Sequence, residues 1–302
     1  MRILRRLCAA SVLVALGTVV LGSWTRINGA GMTCPDWPLC HGMLVPSMTD
    51  GTVWEWTHRL FAFCVAPLVV AVMIAAWRVR NRSPFIAPGL AVIGVLFVVQ
   101  CLLGAATVHL GNSPASVVLH WGTAMAFVAS LTAMMLFAQE PAVASAGDAE
   151  RGDKALVGIL AGTALVTFVT MCVGAYVSSS GDGLACLSIP GCAGTVVVYT
   201  QGQFAQMLHR SIAAATFLCA VTSFALVWVR PASARVRAAV SAGLALVFVQ
   251  VILGLLNVVL RLPMDLREAH AFNAALVFLS FVVATLLAAL PSPAPAREMA
   301  IR

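Results

Sequence analysis

The chain has 302 residues, of which 61% are hydrophobic and 10% charged, with a net charge of +7 at pH 7 and a mean hydropathy of +0.98. A soluble domain carries roughly 25% charged residues, so this chain cannot cover its surface with polar groups and is a polytopic membrane protein. The positive balance is a topology signal and excludes nucleic acid as a partner, because no basic stripe is interleaved with aromatic residues.

Eight apolar spans of about the 20 residues that cross a bilayer follow one another, at 8–25, 54–77, 86–109, 115–137, 155–177, 204–229, 236–259 and 267–290. The first follows Arg2, Arg5 and Arg6 and looks like a signal peptide. It is read as a retained helix because Gly22 to Cys40 matches Gly174 to Cys192 later in the chain. A long loop at 26–53 precedes the second span, and Arg78, Arg80 and Arg82 follow that span. An Ala-, Gly- and acid-rich linker at 141–153 leads into the fifth span, with Arg151 and Lys154 beside it. A second long loop occupies 178–203. Arg230, Arg235 and Arg237 follow the sixth span, and Arg297 and Arg302 end the chain. These basic residues share one side, which the positive-inside rule makes the cytoplasm, with both termini. Trp24, Trp54, Trp56, Trp77, Trp121 and Trp228 fall near span ends as an interfacial belt.

The two halves repeat. Cys34 and Cys40 recur as Cys186 and Cys192, His58-Arg59 as His209-Arg210, Gln100-x3-Gly104 as Gln250-x3-Gly254, and His120 as His270, at offsets of 152, 151, 150 and 150. One slowly drifting offset marks a duplicated unit. The expected fold is an all-α membrane protein, with eight transmembrane helices as two tandem four-helix bundles related by a pseudo-two-fold along the membrane normal. The expected units are 1–140 and 154–302, joined by the linker.

Histidine inside a membrane segment is costly and usually functional. His58, His120, His209 and His270 each sit a few residues into a helix that descends from the outer face, so all four share one depth in the outer leaflet. Bundles build cofactor sites from side chains on facing helices. Zinc wants four ligands and no third or fourth donor recurs, whereas haem iron needs only axial ligands. Arg59 and Arg210 stand at the wet end, where an arginine can pair with a haem propionate. His41 and His109 have no repeat partner and read as loop or interfacial residues. Gly104 and Gly254 read as points of close helix approach, and Cys8, Cys64, Cys101, Cys172 and Cys219 as small core residues.

The halves differ at one informative place. Glu55 stands three residues before His58, and Gln206 three before His209. That spacing puts both side chains on one helical face. A carboxyl beside the first histidine can give or take a proton, or it can serve as a helix-start acid. The loop cysteines lie outside the cytoplasm, where disulfides persist. Either they staple each loop or they form a redox-active pair.

Eight spans in two halves, Glu-x-x-His-Arg opening the second helix, a His opening the fourth, and the loop phrase from Gly31 to Cys40 together resemble bacterial haem A synthases, over nearly the whole chain. The resemblance implies oxidation of the C8 methyl of haem O to a formyl group by two successive hydroxylations and loss of water, giving haem A for cytochrome oxidase. It implies that His58 and His120 flank the substrate haem O, with Glu55 as the catalytic acid. His209 and His270 are implied to hold a resident haem b that relays electrons. The cysteines match the subgroup with a disulfide in each outer loop, Cys34–Cys40 and Cys186–Cys192. The implied setting is the bacterial cytoplasmic membrane, with membrane lipid, haem O synthase (the farnesyltransferase) and a respiratory electron donor or acceptor as partners, and a homo-oligomer left open. The rival readings are a bis-histidine cytochrome b for electron transfer and a membrane thiol-disulfide oxidoreductase using the loop cysteines. A repeat-built transporter is a third.

Overall fold

A computed structural model describes residues 1–138, 153–192 and 194–290. Among them the regular structure is helical. Eight long helices follow in order: α1 (Arg2–Ile27), α2 (Thr52–Val79), α3 (Ile86–His109), α4 (Pro114–Phe137), α5 (Lys154–Ser179), α6 (Gln201–Val229), α7 (Ala234–Val259) and α8 (Met264–Ala289). All eight are long and apolar enough to cross a membrane. An apolar segment in lipid finds no water for its peptide groups, so it satisfies them internally as a helix. Several helices start before the apolar spans. Hydropathy marks only the length in hydrocarbon, while peptide bonding runs on through Arg2 to Arg6 and, in α6, back to a Thr200 cap that accepts from the Gln203 N–H. Pro67 lies inside α2 without ending it.

Most of the 141–153 linker, with Arg151, lies outside the described residues, as do Arg297 and Arg302. Its last residue, Asp153, caps α5 and pairs with Arg230 at 2.7 Å, tying the start of α5 to the end of α6.

Within the first four helices, α1 packs on α2, α3 on α4, and α4 on α1. The same pairs recur as α5 with α6, α7 with α8, and α8 with α5. Between the two sets, α4 meets α5 and α8, and α1 meets α8. Tight apolar packing is concentrated away from the cysteine loops. One buried cluster joins Leu4, Val69, Val72, Ile93 and Leu131, and the other joins Leu160, Val240, Val277 and Phe281. A smaller cluster of Met125, Met171, Ala275 and Phe278 fills the seam at mid-height. The opposite end is built from polar links. Asn112 donates to the Gly31 carbonyl at 2.7 Å, joining the α3–α4 turn to the first cysteine loop. Arg26 donates to Ser178 at 2.9 Å, joining the two sets. The four histidine helices therefore present their first turns at one end, above the apolar cores.

Candidate functional site

His58, His120 and His270 are each the seventh residue of α2, α4 and α8, and His209 is the ninth of α6. Each ring rests on a glycine of the preceding helix. A Cβ built on Gly22 would stand 2.7 Å from Cε1 of His58, and one on Gly174 would stand 2.8 Å from Cε1 of His209. The matching distances are 3.3 Å from Gly104 to His120 and 3.2 Å from Gly254 to His270. Carbon atoms in contact sit about 3.5–4.0 Å apart, so at Gly22 and Gly174 no larger residue fits without moving the ring. In each set the odd-numbered helices carry the seats and the even-numbered helices carry the ligand candidates.

The ring nitrogens have partners that orient them. His58 Nδ1 lies 2.9 Å from the Thr18 carbonyl, so its N–H donates there and Nε2 is left as an acceptor. Gln100, one turn before Gly104 on α3, puts its amide nitrogen 3.2 Å from His120 Nδ1. Gln250, one turn before Gly254 on α7, puts its own 3.1 Å from His270 Nε2. Asn273 donates to the Gln250 carbonyl oxygen at 2.7 Å and fixes which way that amide points.

The second pair fits an iron between two imidazoles. The His209 and His270 rings are centred 6.5 Å apart. Two imidazoles bound axially, with metal–nitrogen bonds of about 2.0–2.1 Å and ring centres about 1.1 Å beyond, lie roughly 6–6.5 Å apart. Nδ1 of each ring is buried without a hydrogen-bond partner among the described residues. In the first pair, His58 and His120 are close enough to interact electrostatically. Among the described residues no three His, Cys, Asp or Glu side chains converge. A donor pair of this kind suits a metal whose other ligands come with its own macrocycle.

The cysteines are joined as Cys34–Cys40 and Cys186–Cys192. All four are at most 1% exposed, which favours a staple over an accessible redox pair. The two loops are held alike. Glu55, 4% exposed, accepts from the Cys34 N–H at 2.9 Å and pairs with Arg59 at 2.6 Å. Gln206 accepts from the Cys186 N–H and donates to the Gly183 carbonyl at 2.7 Å. Arg59 donates to the carbonyls of Cys34, Asp36 and Leu39. Arg210 donates to the matching carbonyls of Cys186, Ser188 and Gly191. Asp36 accepts from the backbone N–H groups of Gly42 at 2.8 Å and His41 at 2.6 Å. The Gly42 bond above all holds its carboxyl below the usual carboxylate range.

Several expectations change. Arg59 and Arg210, expected beside a propionate, donate to loop carbonyls, Arg59 to those of Cys34 and Asp36 and Arg210 to those of Cys186 and Ser188. Glu55 is no simple helix-start acid: its partners are Arg59 and the cysteine loop. Gly104 and Gly254 are ring seats rather than only points of helix contact. Cys64 and Cys101 are exposed on the bundle surface instead of lying in a core. His109 ends α3 and is exposed, and His41 reaches the Thr33 carbonyl at 2.8 Å. The roles of Gly22, Gly174, Gln100 and Gln250 were not assigned from sequence. The signal was present, since each is identical in the two halves.

Comparison with known proteins gives a consistent result. The sequence model of the COX15-CtaA family, described as cytochrome oxidase assembly protein, matches residues 5–282. A Heme A synthase of Bacillus licheniformis is 29% identical over 91% of this chain and 92% of its own length. One from Geobacillus kaustophilus is 31% identical over 98% of this chain and 96% of its own. One from Shouchella clausii is 34% identical over 70% and 71%.

Proposed function

We propose, because the chain belongs to the COX15-CtaA family of cytochrome oxidase assembly proteins, that it is a haem A synthase of the bacterial cytoplasmic membrane. It oxidises the C8 methyl of haem O to a formyl group and supplies haem A for cytochrome oxidase. The observation that carries the division of labour is the difference between two otherwise matched histidine pairs. The first has Glu55 beside His58, and the second has Gln206 beside His209.

On this reading His58 and His120 flank the substrate haem O, and His209 and His270 hold a resident haem b. When bound, haem b supplies a one-electron relay. The chain's own residues do the rest. Thr18 and Gln100 orient the first pair, and Gln250, fixed by Asn273, orients His270. Four glycine seats set the ring positions. Glu55, on the same helical face as His58, gives or takes a proton at the substrate site. At the methyl carbon a C–H bond is replaced twice by a C–O bond, each time with two electrons passing to an external oxidant, and the geminal diol then loses water to leave the aldehyde. Arg59 and Arg210 are loop anchors that hold each disulfide loop on the helix carrying a ligand.

The loop end faces outward and both termini lie in the cytoplasm. Arg78, Arg80, Arg82, Arg235 and Arg237 at the opposite end support this orientation. The units 1–140 and 154–302 are related by a pseudo-two-fold along the membrane normal, a relation supported by the recurrence of the same helix pairs. Haem O synthase, a respiratory electron carrier and a second copy of the chain are the partners to seek. The test is purification from cells that make haem O, followed by mass identification of the non-covalent haems. Haem b with haem O, haem A or a hydroxylated intermediate is expected. Haem b alone would replace the synthase with an electron-transfer cytochrome.

A further inference from the structure

Arg26 and Ser178 occupy the same place in the two repeats, 152 residues apart, and they touch: the Arg26 guanidinium donates to the Ser178 hydroxyl at 2.9 Å. Each stands four residues, about one helical turn, beyond a glycine that seats a histidine. Gly22 lies under His58 on the α1 side, and Gly174 lies under His209 on the α5 side. The contact therefore bridges the two histidine sites, one turn outward of both.

The charges around this bridge are not duplicated. Where α4 carries Val117 and Val118, α8 carries Arg267 and Glu268, at the offset of 150 that also relates His120 to His270. Where α5 carries Ala175, α1 carries Ser23. Arg26 is close enough to Arg267 and Glu268 to feel both charges. The two oxygens of the Glu268 carboxylate are buried without a hydrogen-bond partner among the described residues. Two positive charges and one negative charge thus act on one another at the α1–α8 contact, with Arg26 feeling both Arg267 and Glu268. A net positive charge in an apolar seam is expensive. Packing alone does not require it, because the equivalent place between α4 and α5 has valines and alanine.

We propose that Arg26 is a positioning residue common to both haem sites. It is a fixed positive charge, held by Ser178 and opposed by Glu268, that raises the electron affinity of the haem between His209 and His270. Adding an electron beside a fixed positive charge is favoured, so the charge draws reducing equivalents to the seam between the two sites. This rests on the reading of His209 and His270 as a haem site.

The experiment is a spectroelectrochemical titration of the resident haem in the full chain, purified in detergent, as wild type and as Arg26→Gln, Arg26→Lys and Glu268→Gln. A unit charge acting across about 10 Å at an effective dielectric of about 20 changes a one-electron equilibrium roughly tenfold, or about 59 mV. Arg26→Gln is expected to lower the midpoint by about that amount, Glu268→Gln to raise it, and Arg26→Lys to leave it near wild type. A loosened helix contact would not move the first two in opposite directions. Shifts of the same sign, or no shift in Arg26→Gln, would overturn the proposal. If Arg26→Gln loses its haem, Arg26→Lys and Glu268→Gln decide: a lowered midpoint in the first, or a lowered or unchanged one in the second, would overturn it. A wild-type protein that binds no haem would instead refute the haem reading of the sites.

Discussion

Replacing Gly174 by alanine places a methyl group 2.8 Å from Cε1 and 3.2 Å from Nδ1 of His209. Ordinary carbon contacts are about 3.5–4.0 Å, so something must retreat by about 1 Å. The α5 backbone is not free to do so, because hydroxyl bonds between Thr163 and Ser223 and between Thr170 and Thr216 pin it to α6. The ring gives way. Over-packing costs about 1–3 kcal/mol, and alanine recovers about 1 kcal/mol of helix propensity, so the fold loses at most about 2 kcal/mol. The site loses more, since His209 no longer stands opposite His270 at the 6.5 Å that suits a shared iron. The expected result is a purified Gly174→Ala protein with little haem b, or with the absorption spectrum of an iron missing one imidazole, and a melting temperature only a few degrees below wild type. Gly254→Ala, at 3.2 Å, should be milder. Gly17→Ala, at 3.5 Å from Phe61, and Gly158→Ala, with nothing within 4 Å, should be silent. Wild-type haem content and spectrum in Gly174→Ala, or a harsher effect at Gly254, would refute the seat.

Arg59→Ala leaves the buried Glu55 carboxylate without its cation and should cost about 3–5 kcal/mol. Arg210→Ala breaks a similar set of loop bonds but strands no charge, because Gln206 is neutral. It should therefore melt at the higher temperature of the two, and adding Glu55→Gln to Arg59→Ala should recover stability. Equal melting temperatures would mean that the ion pair adds nothing. Acid should loosen the first loop before the second. The Asp36 carboxyl is depressed by the Gly42 and His41 N–H groups, so its contribution is present above the ordinary aspartate value of about 3.9 and is lost as pH falls through the lowered one. The protection of the Gly42 N–H, taken as its exchange rate relative to an unstructured amide at the same pH, should fall as pH is lowered from neutrality through that depressed value, while Gly194, bonded to the Ser188 hydroxyl at 2.9 Å, should show no such added loss of protection. Identical behaviour at the two glycines would count against the role of Asp36.

The helices were legible because lipid leaves an apolar segment one way to satisfy its backbone, and the four histidines because they repeat where imidazole is expensive. Their seats were less legible. Gly22 and Gly174 stood out only as ends of a matching stretch, and a glycine in a membrane helix reads first as close helix packing. That a ring rather than a helix fills the space depends on rotation of α2 and α6, which spacing along α1 and α5 does not report. The loop contacts of Arg59 and Arg210 were hidden for a related reason. Their position beside a histidine at the wet end suits a propionate and does not report that the loops fold back over them and accept from them through main-chain carbonyls. A carbonyl leaves no mark in a sequence. The Arg26–Ser178 contact was hidden in the same way, since it joins unlike residues at like positions.

The second half serves as a control for the first. Gln206 accepts from Cys186 what Glu55 accepts from Cys34, and Ser188 accepts from Gly194 what Asp36 accepts from Gly42. Neutral groups therefore suffice to build this loop and to hold its disulfide, and the acid at position 55 needs a reason other than folding. Glu55→Gln installs what the second half already has. The loop, both disulfides and the haem content should be unchanged, and the melting temperature should move little, because the lost ion pair is offset by one fewer buried charge. Turnover of haem O should fall by about 10²–10⁴-fold if the carboxyl gives or takes a proton. The measurement is conversion of haem O in membranes or purified protein, set against haem content in the same sample. Turnover within a few-fold of wild type would make Glu55 a second loop anchor, equivalent to Gln206, and the proton would have to be sought elsewhere. Loss of haem together with turnover would show instead that the charge positions His58.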